Sequence, residues 1–213
     1  MAGSILILDR QCRFPLQNIN PLLVLTRPLR QSARFLAQLQ VRLGADIAHM
    51  MSPVLQIDVL DPHPQFTKQD TLIFTSENAV LAIAQSLAGM RAFCVGQRTA
   101  KAAQDKGCDT ICADGDARDL IALVLSSAPT GRLVHLRGTH TRGDIQETLA
   151  AKGLDVVERC IYTQRAVPLD VPALSTVPIG SALIFPVFSP RTAEIIAQDV
   201  ENLANRCNFI CIS

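Results

Sequence analysis

Short apolar runs that stop at small polar clusters recur along the chain. Leu22–Leu25 stops at Thr26-Arg27-Pro28, and Leu72–Phe74 stops at Thr75-Ser76. Phe93–Val95 runs into Gly96-Gln97-Arg98-Thr99, Leu133–Leu136 into Arg137-Gly138, and Leu183–Phe185 leads on to Ser189-Pro190. Runs of this length fit strands that are covered on both faces. A helical pattern follows each one. Phe35, Leu36, Leu39 and Leu43 fall on one helical face ahead of Gly44, which stands where a helix C-cap wants it. Later helices are expected to end near Gly89, at Gly107 and at Gly153, and one runs through Ile195, Ile196, Val200 and Leu203. Strand alternating with helix predicts an α/β fold built on parallel sheets.

Two proline-rich stretches interrupt this rhythm, at 50–70 and 160–180. They bracket a middle block and predict an inserted domain over 71–159. Linkers over 53–70 and 160–177 would join it to a discontinuous outer domain built from 21–52 and 178–213. Residues 1–20 have no clear period and read as a loosely ordered leader. The segment after Asn208 reads as a strand running into a polar turn.

The polar clusters gain meaning from where they fall. In open parallel sheets, ligands bind beyond the carboxyl ends of the strands, where helix N-termini offer unpaired N–H groups to anions. Arg27, Thr75, Ser76, Asn78, Gly96, Arg98, Thr99, Arg137, Gly138, Ser189 and Arg191 all fall at such ends and are candidate ligand contacts. Ser76, Thr99 and Ser189 are equally placed as helix N-caps, a role compatible with touching a ligand. Pro190 at the first helical position fits the same cap.

Composition narrows the function. The 213 residues are 48% hydrophobic and 18% charged, so a packed core is expected. Formal net charge is only +1, and eight Phe and one Tyr are the whole aromatic complement. Neither points to nucleic acid. No apolar run approaches the roughly 18 residues of a membrane span, and Ile5–Leu8 is too short for a secretory signal, so a cytoplasmic protein is expected. The seven cysteines include no CxxC pair and read as reduced, buried thiols; the x3 spacing of Cys108/Cys112 and Cys207/Cys211 leaves a metal site as the minor alternative. GxGxxG, GxxxxGK[ST] and GxSxG motifs are absent. His135 lies within an apolar run, as a core histidine does, while His140 sits in a strand-end loop. No triad and no paired carboxylates are evident, so any chemistry must depend little on a strong general base.

The phrases "VLTRP" (24–28), "LIFTSENAV" (72–80), "CVGQRTAKAAQDKG" (94–107), "LRG" with Arg142, "LAAKGLDVVERCIYTQ" (149–164) and "LIFPVFSPRTAEII" (183–196) occur in an order and spacing that resemble the uroporphyrinogen-III synthase family. The resemblance covers about 22–213. It implies two flavodoxin-like parallel-sheet domains joined by a two-stranded linker, with the substrate in a cleft between them. It implies closure of hydroxymethylbilane, a linear tetrapyrrole polycarboxylate, with loss of water and inversion of ring D, and no cofactor or metal. It implies a catalytic acid at Tyr162, in "CIYTQ". Helix N-termini with Arg27, Arg98, Arg137, Arg142 and Arg191 would suit the substrate's carboxylates as binding residues, and a monomer without nucleic-acid or membrane partners is expected. The family pattern continues past Ser213 with a helix, a strand and a closing helix, so part of the outer sheet is expected to be missing. Two other readings stay open. One is a non-catalytic binder of an anionic small molecule. The other is a receiver-like module, for which Asp114, Asp116 and Asp119 are the only acidic cluster, in what reads as a solvated loop and helix start.

Overall fold

Leucine, valine and phenylalanine alternate between two buried layers wherever the apolar runs occur, and this alternation organises the molecule. The computed structural model describes residues 21–140, 144–178, 181–200 and 207–212. In chain order the elements are β1 (Leu22–Leu25), α1 (Leu29–Leu43), β2 (His49–Met51), β3 (Leu55–Val59), β4 (Thr71–Phe74), α2 (Glu77–Ala82), β5 (Arg91–Cys94), α3 (Gln97–Asp105) and β6 (Asp109–Cys112). Then follow α4 (Ala117–Ser127), β7 (Leu133–Gly138), α5 (Ile145–Ala150), β8 (Val156–Ala166), α6 (Val171–Ser175), β9 (Leu183–Val187), α7 (Pro190–Asp199) and β10 (Cys207–Cys211).

The chain divides into two compact units. One draws on Met1–Gln56 and Arg165–Ser213, the other is Ile57–Gln164. In the first, four strands pair in the order β10-β9-β1-β2, with every pairing parallel. Val24, Leu183, Phe185, Val187 and Ile196 fill one side of this sheet. Leu23, Leu25 and Leu36 fill the other, with Phe35 and Ile184 against them.

In the second unit the order is β3-β8-β7-β4-β5-β6, and the ladder from β8 to β6 is parallel throughout. The period of two is plain in β4: Leu72 and Phe74 join one cluster with Val80, Ile83 and Leu87. Ile73 joins the opposite cluster with Phe93, Leu120, Val124, Ile145 and Leu149. Both faces are thus covered by helices, α2 and α3 on one side and α4 and α5 on the other. The order reverses between β4 and β7, which is where such sheets offer a ligand site beyond the strand ends.

Several local expectations need correction. α2 ends at Ala82 rather than near Gly89, because Ile83 turns to extended backbone and the Ala84 N–H is taken by the Pro62 carbonyl at 2.8 Å. Thr99 does not cap α3: Gly96 does, and Thr99 lies buried inside the helix. Leu43 faces solvent at the end of α1 instead of the core. Gly44 does adopt the left-handed cap conformation, with φ 64°, and its N–H bonds to the Gln40 carbonyl. Asp116 and Asp119 form a reciprocal capping box at the start of α4, so the acidic cluster has a structural role.

Candidate active site

Parallel pairing brings the strand-end turns of the second unit onto one edge of its sheet. In sheet order they are Tyr162 on β8, Gly138 on β7, Thr75-Ser76 after β4 and Gly96 after β5. Ser76 holds extended backbone and its hydroxyl accepts from the Asn78 N–H at 3.2 Å, capping α2. Asn78 itself is buried in the first turn. Gly96 stands at the cap of α3, and among the described residues nothing lies within 4 Å of the place its Cβ would occupy. Among the described residues the start of α3 is bare of any side-chain cap, and Arg98 is exposed beside it.

Tyr162 reaches this edge by a register shift. Arg137 pairs with Cys160, but the next residue, Gly138, pairs with Tyr162, so Ile161 is an extra residue in β8. Simple alternation would send Ile161 and Tyr162 to opposite faces. With the bulge, both join the α2/α3 side of the core. The Ile161 carbonyl accepts from the N–H groups of Leu60 and Asp61, and the Tyr162 carbonyl accepts from Thr139, which fixes the bulge on both sides. The residue is 5% exposed, and the Cζ, Cε2 and hydroxyl of its ring crowd the space a Cβ on Gly138 would need. Burial pushes the phenol's pKa upward, while a hydrogen bond with Ser76 works the other way without cancelling it. The hydroxyl therefore keeps its proton at neutral pH.

The opposite face of the same edge carries a polar chain. His135 and Glu158 are register partners on β7 and β8, and His135 Nδ1 lies 2.9 Å from Glu158 Oε1. Burial lowers the His135 pKa more than Glu158 raises it, so the ring is neutral. A neutral ring that donates Nδ1–H to the carboxylate leaves Nε2 to accept from the Thr75 hydroxyl, 3.4 Å away. Glu158 Oε2 accepts from Arg137 Nε at 2.5 Å, and Arg137 Nη1 donates to the Gly138 carbonyl at 3.0 Å. Arg137 is thus turned inward onto Glu158. His135 is a core histidine with two polar partners. Glu158 was missed by sequence reasoning: a lone glutamate in "VVERC" carries no motif, and only the strand register sets it beside His135.

In the first unit the turns after β1 and β9 are neighbours because those strands pair. The Arg27 guanidinium lies over the Phe188 ring at 4.2 Å, and Phe188 packs edge-on against Phe35. The Arg27 carbonyl accepts from the Ser32 hydroxyl at 2.8 Å. Ser189 caps α7, accepting from the Thr192 N–H, and Arg191 is half-buried in the first turn of that helix. Phe188 is a further residue the sequence pattern did not single out. Arg142 lies outside the described residues.

Two parallel sheets whose strand-end turns carry capped helix starts, arginines and one buried phenol make this a two-unit α/β protein of the parallel-sheet class. Residues 41–213 match the family model of uroporphyrinogen-III synthase HemD, so the chain belongs to the uroporphyrinogen-III synthase family, lyases of haem biosynthesis. No curated protein sequence matches the chain. The fold is similar to that of uroporphyrinogen-III synthetase from Helicobacter pylori, at 16% identity and TM-score 0.58, covering 90% of this chain and 83% of that one. It is also similar to a mutant uroporphyrinogen III synthase from Thermus thermophilus, at 18% identity and TM-score 0.50, covering 90% and 84%. Among the described residues, no helix is long and apolar enough to cross a membrane.

Proposed function

We propose that this chain cyclises hydroxymethylbilane to uroporphyrinogen III, and that Tyr162 is the acid that starts the reaction. The observation that carries this reading is the position of the Tyr162 hydroxyl, buried and protonated at the carboxyl edge between Ser76 and Gly138. In the proposed step the phenol gives its proton to the terminal hydroxyl of the substrate. The carbon–oxygen bond breaks with help from the pyrrole electrons, and water leaves. The substituted carbon of ring D attacks the resulting cation, and the spiro intermediate fragments and recloses with ring D inverted. On reclosure the free α-carbon of ring D loses its proton, which restores the phenol, so water is the only net loss; the pyrroles supply the electrons for each bond, and the protein lends one proton and fixes the substrate's shape.

The substrate carries many carboxylates. Arg98 with the bare start of α3, and Arg27, Ser189 and Arg191 in the other unit, are proposed as their partners. Thr75, Ser76, Asn78 and Gly138 would line the reacting end. Arg137, neutralised by Glu158, is better suited to shaping the edge than to holding a carboxylate. The enzyme is proposed to act in the cytoplasm as a hydro-lyase.

The test is a coupled assay in which hydroxymethylbilane is generated in place and the product is oxidised and resolved into isomers. Predominant type III product supports the reading. Type I alone, from a chain that binds the tetrapyrrole and melts cooperatively, overturns it in favour of a non-catalytic binder.

A further inference from the structure

Glu158 holds two residues at once, and neither partnership is explained by the proton transfer assigned to Tyr162. One carboxylate oxygen takes His135 and the other takes Arg137. Beyond them the chain reaches Thr75 at one end and the Gly138 carbonyl at the other. The second of those ends, Gly138, is the residue at which the β7–β8 register shifts. A bulge interrupts the regular ladder and leaves its backbone groups to find other partners. Here Arg137 supplies one, bonding to the carbonyl of the very glycine against which the Tyr162 ring lies. Gly138 has no side chain of its own with which to anchor itself.

We propose that Glu158 is a positioning residue: by gripping Arg137 and His135 from the α4/α5 face, it fixes Gly138 and Thr75 and so holds the Tyr162 hydroxyl in place on the other face. The inference rests on Tyr162 as proton donor for its kinetic consequence, but its geometric content does not depend on that reading. Among the described residues the hydrogen bonds of the Glu158 carboxylate go to His135 and Arg137, not to Tyr162. Its effect passes through the backbone at Gly138. The carboxylate suits the task because it accepts on both oxygens, and charge-assisted bonds of this kind are short and strong. Glu158→Gln could keep both arms, its oxygen accepting from Arg137 and its NH2 donating to His135 Nδ1 in the other ring tautomer, so the clean break is Glu158→Leu, which has no polar atom to offer either partner.

The chain has one tyrosine and no tryptophan, so near-ultraviolet phenolate absorbance reports Tyr162 alone. We would titrate this signal in the full chain for wild type, E158L and Asp70→Asn. Asp70 pairs with Arg132 at the opposite end of the strands, so D70N controls for general loss of stability. Expected for E158L is a downward shift of the phenol titration, with kcat lowered about tenfold and KM little changed. D70N should lower the melting temperature but leave both readouts alone. An unmoved titration in folded E158L, or an equal shift in D70N, overturns the proposal. If E158L does not fold, Arg137→Lys removes the same fork and must give the same shift, and an unmoved titration there overturns the proposal too. Full activity in Tyr162→Phe would sink the acid role separately, while the titration would still decide whether Glu158 holds the edge.

Discussion

A Cβ built on Gly138 would stand 2.6 Å from Cζ and 3.0 Å from the hydroxyl oxygen of Tyr162. No real Cβ tolerates such a contact, and the ring is walled in by the α2/α3 core, so it has little room to withdraw. Gly138→Ala should therefore displace the phenol. Overpacking of this kind costs about 1–3 kcal/mol. The expected outcome is a lower denaturation midpoint together with a fall in kcat larger than any rise in KM, read by chemical denaturation and steady-state assay.

Tyr162→Phe removes the proton donor and leaves the packing nearly whole. Loss of general acid help is expected to slow the reaction by about 10²–10⁴-fold while leaving measurable type III product. Wild-type rates would remove the acid role. The raised phenol pKa also sets a stability trend. Above the ordinary value of 10.0 the unfolded chain gives up the tyrosyl proton before the folded one does. Stability is therefore complete below that pH and falls as pH rises through the folded value. The Phe variant should lack this part of the alkaline loss.

At acid pH two groups act at different points. His135, faced by Glu158, Arg137 and Thr75, has its pKa lowered by burial. As pH drops below the ordinary value of 6.5, the unfolded chain takes up a proton that the folded chain refuses, so stability decreases. His135→Gln should flatten the slope between about pH 7 and pH 5. Asp70 is held below its ordinary value of 3.8, chiefly by hydrogen bonds from Arg132 at 2.7 and 3.0 Å. Its contribution is present above that pH and is lost as pH falls through the depressed value. Urea midpoints measured against pH should show two separate losses, the second absent in Asp70→Asn.

Thiol labelling should divide the cysteines by burial. Desolvation pushes Cys94 up to about 12 and Cys108 to about 11, so neither offers thiolate at neutral pH. Cys160 and Cys211 are exposed. A disulfide reagent is expected to modify Cys160 and Cys211 in the native protein, and Cys94 and Cys108 only after unfolding. Peptide mapping of the labelled sites provides the check, and rapid native labelling of Cys94 would contradict the burial described here.

The sequence by itself determined the alternation of strand and helix, since uninterrupted apolar runs such as Leu72–Phe74 can be satisfied only between two covering layers. It also placed the caps at Ser76 and Ser189, because a hydroxyl ahead of a helical pattern bonds locally, within three residues. It could not set the length of α2, which ends where Ala84 bonds to Pro62, twenty-two residues earlier in the chain. Nor could it reveal that Tyr162 faces the α2/α3 core. Parity along β8 gives the other face, and the bulge at Ile161 exists only once β8 is paired with β7. The bond from His135 to Glu158 and the contact of Gly138 with Tyr162 have the same origin. Each joins residues more than twenty positions apart, and strand register, which no local pattern encodes, decides which of them meet.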